Sequence, residues 1–425
     1  MKRIAVISYA ISPFNGSESS VGWNYVTHMN KCAELYVFYG TSSLYVGDIK
    51  QTKDYVEKHK LSNVHFIPIL IKENFWNSCL RKLYRYNFKL PFYFQYKEWH
   101  RRVYDKVYEL VEKGEIDIIH YLNPIGFKEP GYCWKIKLPY IWGPLQGVHN
   151  CPYALLPALS FIGKMEALIR LVFHNYFLYC SRNVRNAMLR ADVLLSATAK
   201  TQEQLEKEYG RLSLLLPENG ILKMKRSLPI SYKPKSQKLR LIFIGELCQR
   251  KAVIITLNAL SVMPKRYLDK VEFVIVGGGK EEKKLRNYVV KNHLSDIVRF
   301  TGKIPRADVD RYLAQSHLHL ITSVGEANTT VVWEAMSWAV PTLSLDHCGM
   351  ATVVDSDCGF KISMQSYSQI LNDICNSIIQ LIENPHKVSE LSMGVINKSK
   401  DYMWDNRVDV FQNVYKEAIN HFKIK

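Results

Sequence analysis

Short apolar runs separated by helix-length stretches constrain what this chain can fold into more than any single residue does. They fall at 3–10, 34–40, 64–70, 116–121, 140–143 and 192–197, and again at 239–245, 271–276, 298–301, 317–322 and 341–345. Continuous short runs of this kind suit strands buried on both faces, and their alternation with helical stretches is the pattern of a parallel sheet covered by helices. The opening of the chain, a strand over 3–10, a Gly/Ser loop, a helix over 21–31 and a strand over 34–40, reads as one βαβ unit. The later runs are better separated by turn residues and predict a regular doubly wound α/β sheet.

A length of 425 residues exceeds what one hydrophobic core supports, so the two groups of strands predict two domains. The boundary falls at 223–238, where two prolines and six lysine or arginine residues accompany no apolar periodicity. The organisation read from the sequence is a first domain over 1–222, a linker over 223–238, a second domain over 239–400 and a C-terminal helix over 401–425. In that helix Trp404, Val408, Phe411, Val414 and Tyr415 recur at the amphipathic period.

A net charge of +18 implies an anionic partner, which could be nucleic acid, an anionic membrane leaflet or a phosphorylated small molecule. The nine cysteines are odd in number, scattered and without a Cys-x-x-Cys pair, so neither a disulfide framework nor a zinc site is signalled, and a reducing cytosol is expected. The most apolar long stretch, 153–179, is interrupted by Lys164, Glu166, Arg170 and His174, so any membrane contact is expected to be peripheral. Residues 81–102 interleave Tyr84, Tyr86, Phe88, Phe92, Tyr93, Phe94, Tyr96 and Trp99 with seven lysines and arginines. That composition suits an anionic membrane surface, and it equally suits a core-packed helical hairpin with a solvated basic edge. Rings and cations also fit single-stranded nucleic acid, but no nucleic-acid module accompanies them, and no nucleic-acid partner is expected.

The stretch Gly325-Glu326-Ala327-Asn328-Thr329-Thr330-Val331-Val332-Trp333-Glu334-Ala335-Met336 lies between two expected parallel strands, and its two carboxylates stand eight residues apart. With Thr329 or Thr330 as N-cap, Glu334 falls beyond the capping-box site and is not consumed by capping. The N–H groups of Thr329 to Val332 then point out of a helix N-terminus, where a diphosphate is favoured by hydrogen bonding and by the helix dipole. Two solvated surface glutamates are the plainer alternative. The loop 16–22 follows the first strand and precedes a helix, so its backbone can approach a ligand, although it lacks the dinucleotide fingerprint spacing.

This stretch resembles the Glu-x7-Glu motif of retaining GT-B glycosyltransferases of family 4, and the likeness runs across nearly the whole chain, including Lys251, 271–279, 298–302, Pro341 and 346–349. In the first half Gly16-Ser17-Glu18-Ser19-Ser20-Val21-Gly22-Trp23-Asn24, Ile141-Trp142-Gly143-Pro144 and Leu216-Pro217-Glu218-Asn219-Gly220 are similar to a subgroup of bacterial surface polysaccharide synthesis. The resemblance implies two Rossmann-like domains facing each other across a cleft, the first for the acceptor, the second for the donor, with the last helix crossing back to the first. It implies retaining transfer of a sugar from a nucleotide-sugar donor, of UDP or GDP type, to a lipid-linked or polysaccharide acceptor. The reaction would take place in the cytoplasm or at the inner face of the membrane, with no obligatory metal or other cofactor.

Residue by residue, the resemblance places Glu334 on the ribose hydroxyls and Glu326 near the transferred sugar. Asn328, Thr329 and Thr330 become loop contacts, Gly16 and Ser17 donor contacts, and Lys251 the cation on the diphosphate. The sequence departs from the family at Glu246, where an arginine commonly follows the strand glycine; Arg250 is the candidate replacement. Two alternatives stay open: a nucleotide-sugar epimerase of related fold, and a nonenzymatic polyanion-binding protein.

Overall fold

The computed structural model describes residues 1–16, 18–41, 49–71, 90–147 and 150–424. The chain divides into two compact units, one of Met1–Val148, His174–Asn219 and Trp404–Lys425, the other of His149–Phe173 and Gly220–Met403. The segment His149–Phe173, counted with the first domain from sequence, therefore clusters with the second unit.

In the first unit, β1 (Lys2–Ser8), β2 (Ala33–Tyr39), β3 (Val64–Pro68), β4 (Ile118–Asn123), β5 (Tyr140–Leu145), β6 (Val193–Ser196) and β7 (Leu214–Leu215) form one parallel sheet in the order β3-β2-β1-β4-β5-β6-β7. Side chains alternate between its faces as the two-residue strand period requires. Ile4, Val6 and Ile118 join one apolar cluster with Val21 and Tyr25 of the helix Glu18–Met29, while Ala5, Ile7 and Ile119 join another with Trp99, Val103 and Val107 of the helix Leu90–Glu112. The C-terminal helix Trp404–Ile424 belongs to the first of these clusters through Trp404, Phe411, Val414 and Tyr415.

Polar ties fix that helix as well. Trp404 Nε1 donates to Asn219 Oδ1 at 3.0 Å, and the buried Arg407 guanidinium donates to the carbonyls of Asn219 and Pro217. Asn219 also accepts from Asn24 Nδ2 and donates to Ser20 Oγ, both at 3.0 Å. Two first-half motifs, 16–24 and 216–220, are thus joined by one asparagine side chain, which gives 216–220 a structural job. The helix Ala199–Tyr209 ends at Gly210 with φ 62° and open space around its β position. Gly210→Ala is expected to cost about 1 kcal/mol, the conformational penalty alone, as a shift in the urea midpoint.

In the second unit, β8 (Leu239–Ile244), β9 (Val271–Val276), β10 (Val298–Gly302), β11 (Leu318–Ile321), β12 (Thr342–Leu345) and β13 (Gly359–Ile362) form a parallel sheet in the order β10-β9-β8-β11-β12-β13. Both sheets have the Rossmann-like strand order that reverses beside the first strand. The basic segment after residue 222 is no free tether. Lys225 and Arg226 donate backbone N–H groups to the Ser337 carbonyl, Ile230 N–H reaches Ser392 Oγ at 2.9 Å, and Ile230 and Tyr232 are buried in the core of this unit.

In the aromatic–basic segment the described residues favour the core-packed reading. Residues 81–89 lie outside the described residues. Beyond them Tyr96 and Trp99 are buried, with Tyr96 hydrogen-bonded to Tyr121 at 2.5 Å and both rings edge-on to Tyr9. Lys97 faces Glu129, and Arg101 and Arg102 pair with Glu98. These two rings build a core and not a lipid-facing surface.

Candidate functional site

In an open parallel sheet, loops leaving the strand ends on either side of the order reversal diverge and leave a crevice there. In the second unit those loops follow β8 and β11, adjacent strands in the sheet. The first carries Gln249, Arg250 and Lys251 and the second carries Glu326, Asn328 and Thr329. The two are laced together by Val324 N–H donating to the Arg250 carbonyl at 2.9 Å.

Lys251 Nζ lies 2.5 Å from Glu326 Oε1 and 3.5 Å from Thr329 Oγ1. The Arg250 guanidinium pairs with the same carboxylate oxygen and donates to the Gly325 carbonyl at 3.2 Å. The neighbours Arg250 and Lys251 therefore point the same way, and two cations converge on one carboxylate. Lys251 and Glu326 are nearly buried while Arg250 is two-fifths exposed, so the cluster opens to solvent on the arginine side. Glu246, the departure from the family pattern, is exposed and holds neither cation among the described contacts.

Glycines bring the surrounding loops this close. A β-carbon at Gly277 would collide with the Gly245 carbonyl and one at Gly279 would sit 2.4 Å from the Leu247 carbonyl, so the Gly277–Gly279 turn lets the loop after β8 lie against it. A β-carbon at Gly349 would likewise meet the Ala327 carbonyl at 2.6 Å. Glu326 N–H donates to Cys348 Sγ at 3.2 Å, and the Cys348 thiol is pushed up by burial, so it stays neutral beside the carboxylate.

Thr329 is the N-cap of the helix Thr330–Ser337, in extended backbone. Val332 N–H turns back to the Thr329 carbonyl at 3.0 Å, so it is not available to a ligand as the sequence suggested. The N–H groups of Thr330 and Val331 stand at the helix tip. Glu334, one turn on, faces another set of partners: its carboxylate pairs with Arg306, beside Lys225, which bonds Asp310 at 2.6 Å. Burial pushes the Glu334 carboxyl up, and Arg306 and Lys225 oppose the shift. Arg306 is a partner that sequence reasoning missed, since nothing in Ile304-Pro305-Arg306 marks it.

Gly16 lies in the first unit, at the start of the helix Glu18–Met29 beyond β1, and Ser17 lies outside the described residues, as does His149. The structure places Gly16 at the reversal of the other sheet, where Asn123 at the end of β4 donates to Ser8 Oγ at 2.7 Å and accepts from Ala10 N–H at 3.1 Å. Glu18 accepts from Ile125 N–H at 3.2 Å there, and burial pushes its carboxyl up. Glu18 was quoted only as part of the loop; its place at a strand-order reversal becomes visible once the sheet order is known.

Two parallel sheets of Rossmann-like order with a cation–carboxylate cluster at a reversal define the GT-B class of α/β protein. Residues 225–400 match the family model described as "Glycosyl transferases group 1". The chain is 24% identical over 161 residues to the amylovoran biosynthesis glycosyltransferase AmsK of Erwinia amylovora, covering 36% of this chain and only 38% of that relative's length. Among solved structures it resembles the lipopolysaccharide outer core galactosyltransferase WaaB (TM-score 0.64, 14% identity, 96% of this chain and 99% of that one). It also resembles Anabaena Alr3699/HepE in complex with UDP (TM-score 0.59, 15% identity, 98% and 100%).

Proposed function

We propose that this chain is a retaining, family 4-type glycosyltransferase of bacterial surface polysaccharide or lipopolysaccharide synthesis. It would move a sugar from a nucleotide-sugar donor to a lipid-linked or polysaccharide acceptor at the inner face of the cytoplasmic membrane. The observation that carries the reading is the convergence of Lys251 and Arg250 at the reversal of the second sheet, beside the tip of the helix Thr330–Ser337. Two cations and a helix N-terminus form a receptor for a diphosphate. As the bond between the sugar anomeric carbon and the diphosphate oxygen breaks, the electron pair stays on the diphosphate, where Lys251 and Arg250 stabilise it without an obligatory metal. The acceptor hydroxyl oxygen forms the new bond to the same carbon, and its proton passes to the departing diphosphate oxygen. Glu326 would then hold sugar hydroxyls and Glu334 the ribose. The UDP in the HepE complex supports a nucleotide-sugar donor, here of UDP or GDP type.

Thermal melts with UDP-, GDP- and ADP-sugars test the reading. The matching donor at a hundred times its Kd should add about 2.7 kcal/mol of stability, and no response to any of the three would overturn the proposal. Release of an altered free nucleotide sugar without acceptor would favour an epimerase instead. Glu334→Gln is expected to weaken binding of the matching nucleoside diphosphate roughly tenfold by calorimetry, through loss of a charged hydrogen bond to hydroxyls.

A further inference from the structure

The helix Phe161–Asn175 is inverted relative to an ordinary surface helix. Its inward side in the second unit presents small or modest residues. Gly163 abuts the Gln249 carboxamide, Ser160 Oγ accepts from Gln249 Nε2 at 2.7 Å, and Ala167 packs on the unit's apolar core. Its outward side carries Phe161, Ile162, Met165, Leu168, Ile169, Val172 and Phe173, with Phe161 79%, Ile162 68% and Val172 61% exposed. At about 100° per residue these seven occupy one arc of roughly 140° that contains no charged residue. Lys164 borders the arc on one side, Glu166 and Arg170 on the other. A continuous exposed apolar face of this size marks an interaction surface.

We propose that this face docks on an anionic lipid bilayer, with the helix lying in the plane of the interface. The face is convex and uncharged, which fits a deformable acyl boundary, and Lys164 at its border can bury its stem while its charge reaches headgroup phosphates. The chain's net charge of +18 complements an anionic leaflet and opposes pairing with a second copy. Among the described residues no helix is long and apolar enough to cross a membrane, so the helix lies on the bilayer and does not span it. The helix adjoins the candidate site through its other side: Gly163 abuts Gln249, which precedes the two cations, and Arg170 Nη1 is 3.7 Å from where a β-carbon of Gly325 would stand. Resting on the transferase reading, this arrangement brings a lipid-linked acceptor to the donor sugar.

Cosedimentation with vesicles of phosphatidylcholine, with and without phosphatidylglycerol, tests the docking without any need for sugar transfer. The wild-type chain should bind the phosphatidylglycerol vesicles at least about tenfold more tightly than the neutral ones. Ile162→Ser/Ile169→Ser/Val172→Ser should lower that binding more than about a hundredfold. All three side chains are exposed, and an unchanged circular dichroism spectrum and melting temperature establish that the variant folds. Wild-type chain that ignores anionic vesicles, or a triple variant that binds them equally, overturns the proposal. So does a lipid-free wild-type dimer that the triple variant converts to monomer, since the face would then belong to a second copy. A chain that binds vesicles but responds to no nucleotide sugar would leave the docking standing and sink the transferase reading alone.

Discussion

Lys251→Ala is expected to lower sugar transfer by about 100- to 1000-fold, the usual consequence of removing one preorganised donor from a developing oxyanion. The loss should fall on kcat more than on KM, because the leaving diphosphate gains charge only as the glycosidic bond breaks. Arg250→Ala should cost less. Arg250 is two-fifths exposed and water can replace part of its effect, whereas Lys251 is held in a nearly buried position between Glu326 and Thr329. Single-turnover transfer from the donor identified by thermal melts measures both. If the two variants lost equally little, the cluster would be a structural ion pair and not a phosphate receptor.

Glu326→Gln separates those possibilities from the other side. In the ligand-free chain this carboxylate neutralises both cations, so a diphosphate entering the site competes with it. Removing its charge should tighten binding of the nucleoside diphosphate without sugar by roughly tenfold, about 1.4 kcal/mol. The same change should lower transfer by roughly ten- to a hundredfold, through loss of a charged hydrogen bond to the sugar. Tighter product binding with slower transfer would distinguish a carboxylate released by the donor from one that touches only sugar, for which affinity for the bare diphosphate would not change. Calorimetry with UDP on wild type and variant reads the difference directly.

How far the sequence goes can be judged on particular elements. The eleven apolar runs that predict strands all become strands; nine are central in their sheets, where a buried parallel strand needs nothing but apolar residues on both faces, and the two at edges, Val64–Pro68 and Val298–Gly302, keep enough apolar residues to be read. The two strands that escape are at sheet edges: Leu214–Leu215 is only two residues long, and Gly359–Ile362 carries a glycine and the exposed Lys361. At an edge, half solvation lets a strand be this short or this polar, and the continuous apolar signature is then lost. In the site, Lys251, Glu326 and Thr329 were legible through the motif, and their meeting follows from adjacent strands β8 and β11. The pairings of Glu334 with Arg306 and of Arg250 with Glu326 were not legible, because they depend on side-chain directions that no local spacing encodes. By sequence, residues 81–102 leave a lipid surface and a packed core equally open, because aromatic richness looks the same in both, and Tyr96 and Trp99 take the core.

Acidification from pH 6.5 to 5 should destabilise the second unit by about 4 kcal/mol and the first by about half as much. In the second unit His317 and His319 are held neutral by burial, their pKa values depressed to about 4 and about 3, and burial lowers that of His347 as well. His317 Nδ1 accepts the Arg240 backbone N–H at 2.8 Å, a bond that protonation would break. The unfolded histidines take up protons below about pH 6.5 and the folded ones do not, so stability is full above that pH and falls as pH drops toward the folded values. Two such groups cost about 2.7 kcal/mol per pH unit. The described residues of the first unit hold two, His100 at about 3 and His120 at about 4, the latter fixed between the Tyr415 hydroxyl and the Gly143 carbonyl at 2.9 Å each. There, however, burial raises Glu129 to about 7, and a carboxyl that prefers its proton when folded gains stability over the same window and offsets one histidine. Glu334 opposes the trend in the second unit less, since Arg306 and Lys225 restrain its upward shift. Urea melts at pH 7.5, 6.5 and 5, followed by a tryptophan signal from each unit, should therefore show Trp333 and Trp338 losing their folded environment before Trp142 and Trp404. His319→Asn should remove about one proton from the slope of the second unit. Coincident loss of both signals, or stability that is flat down to pH 5, would mean that these histidines are hydrated in solution and that the two cores are not dry around them.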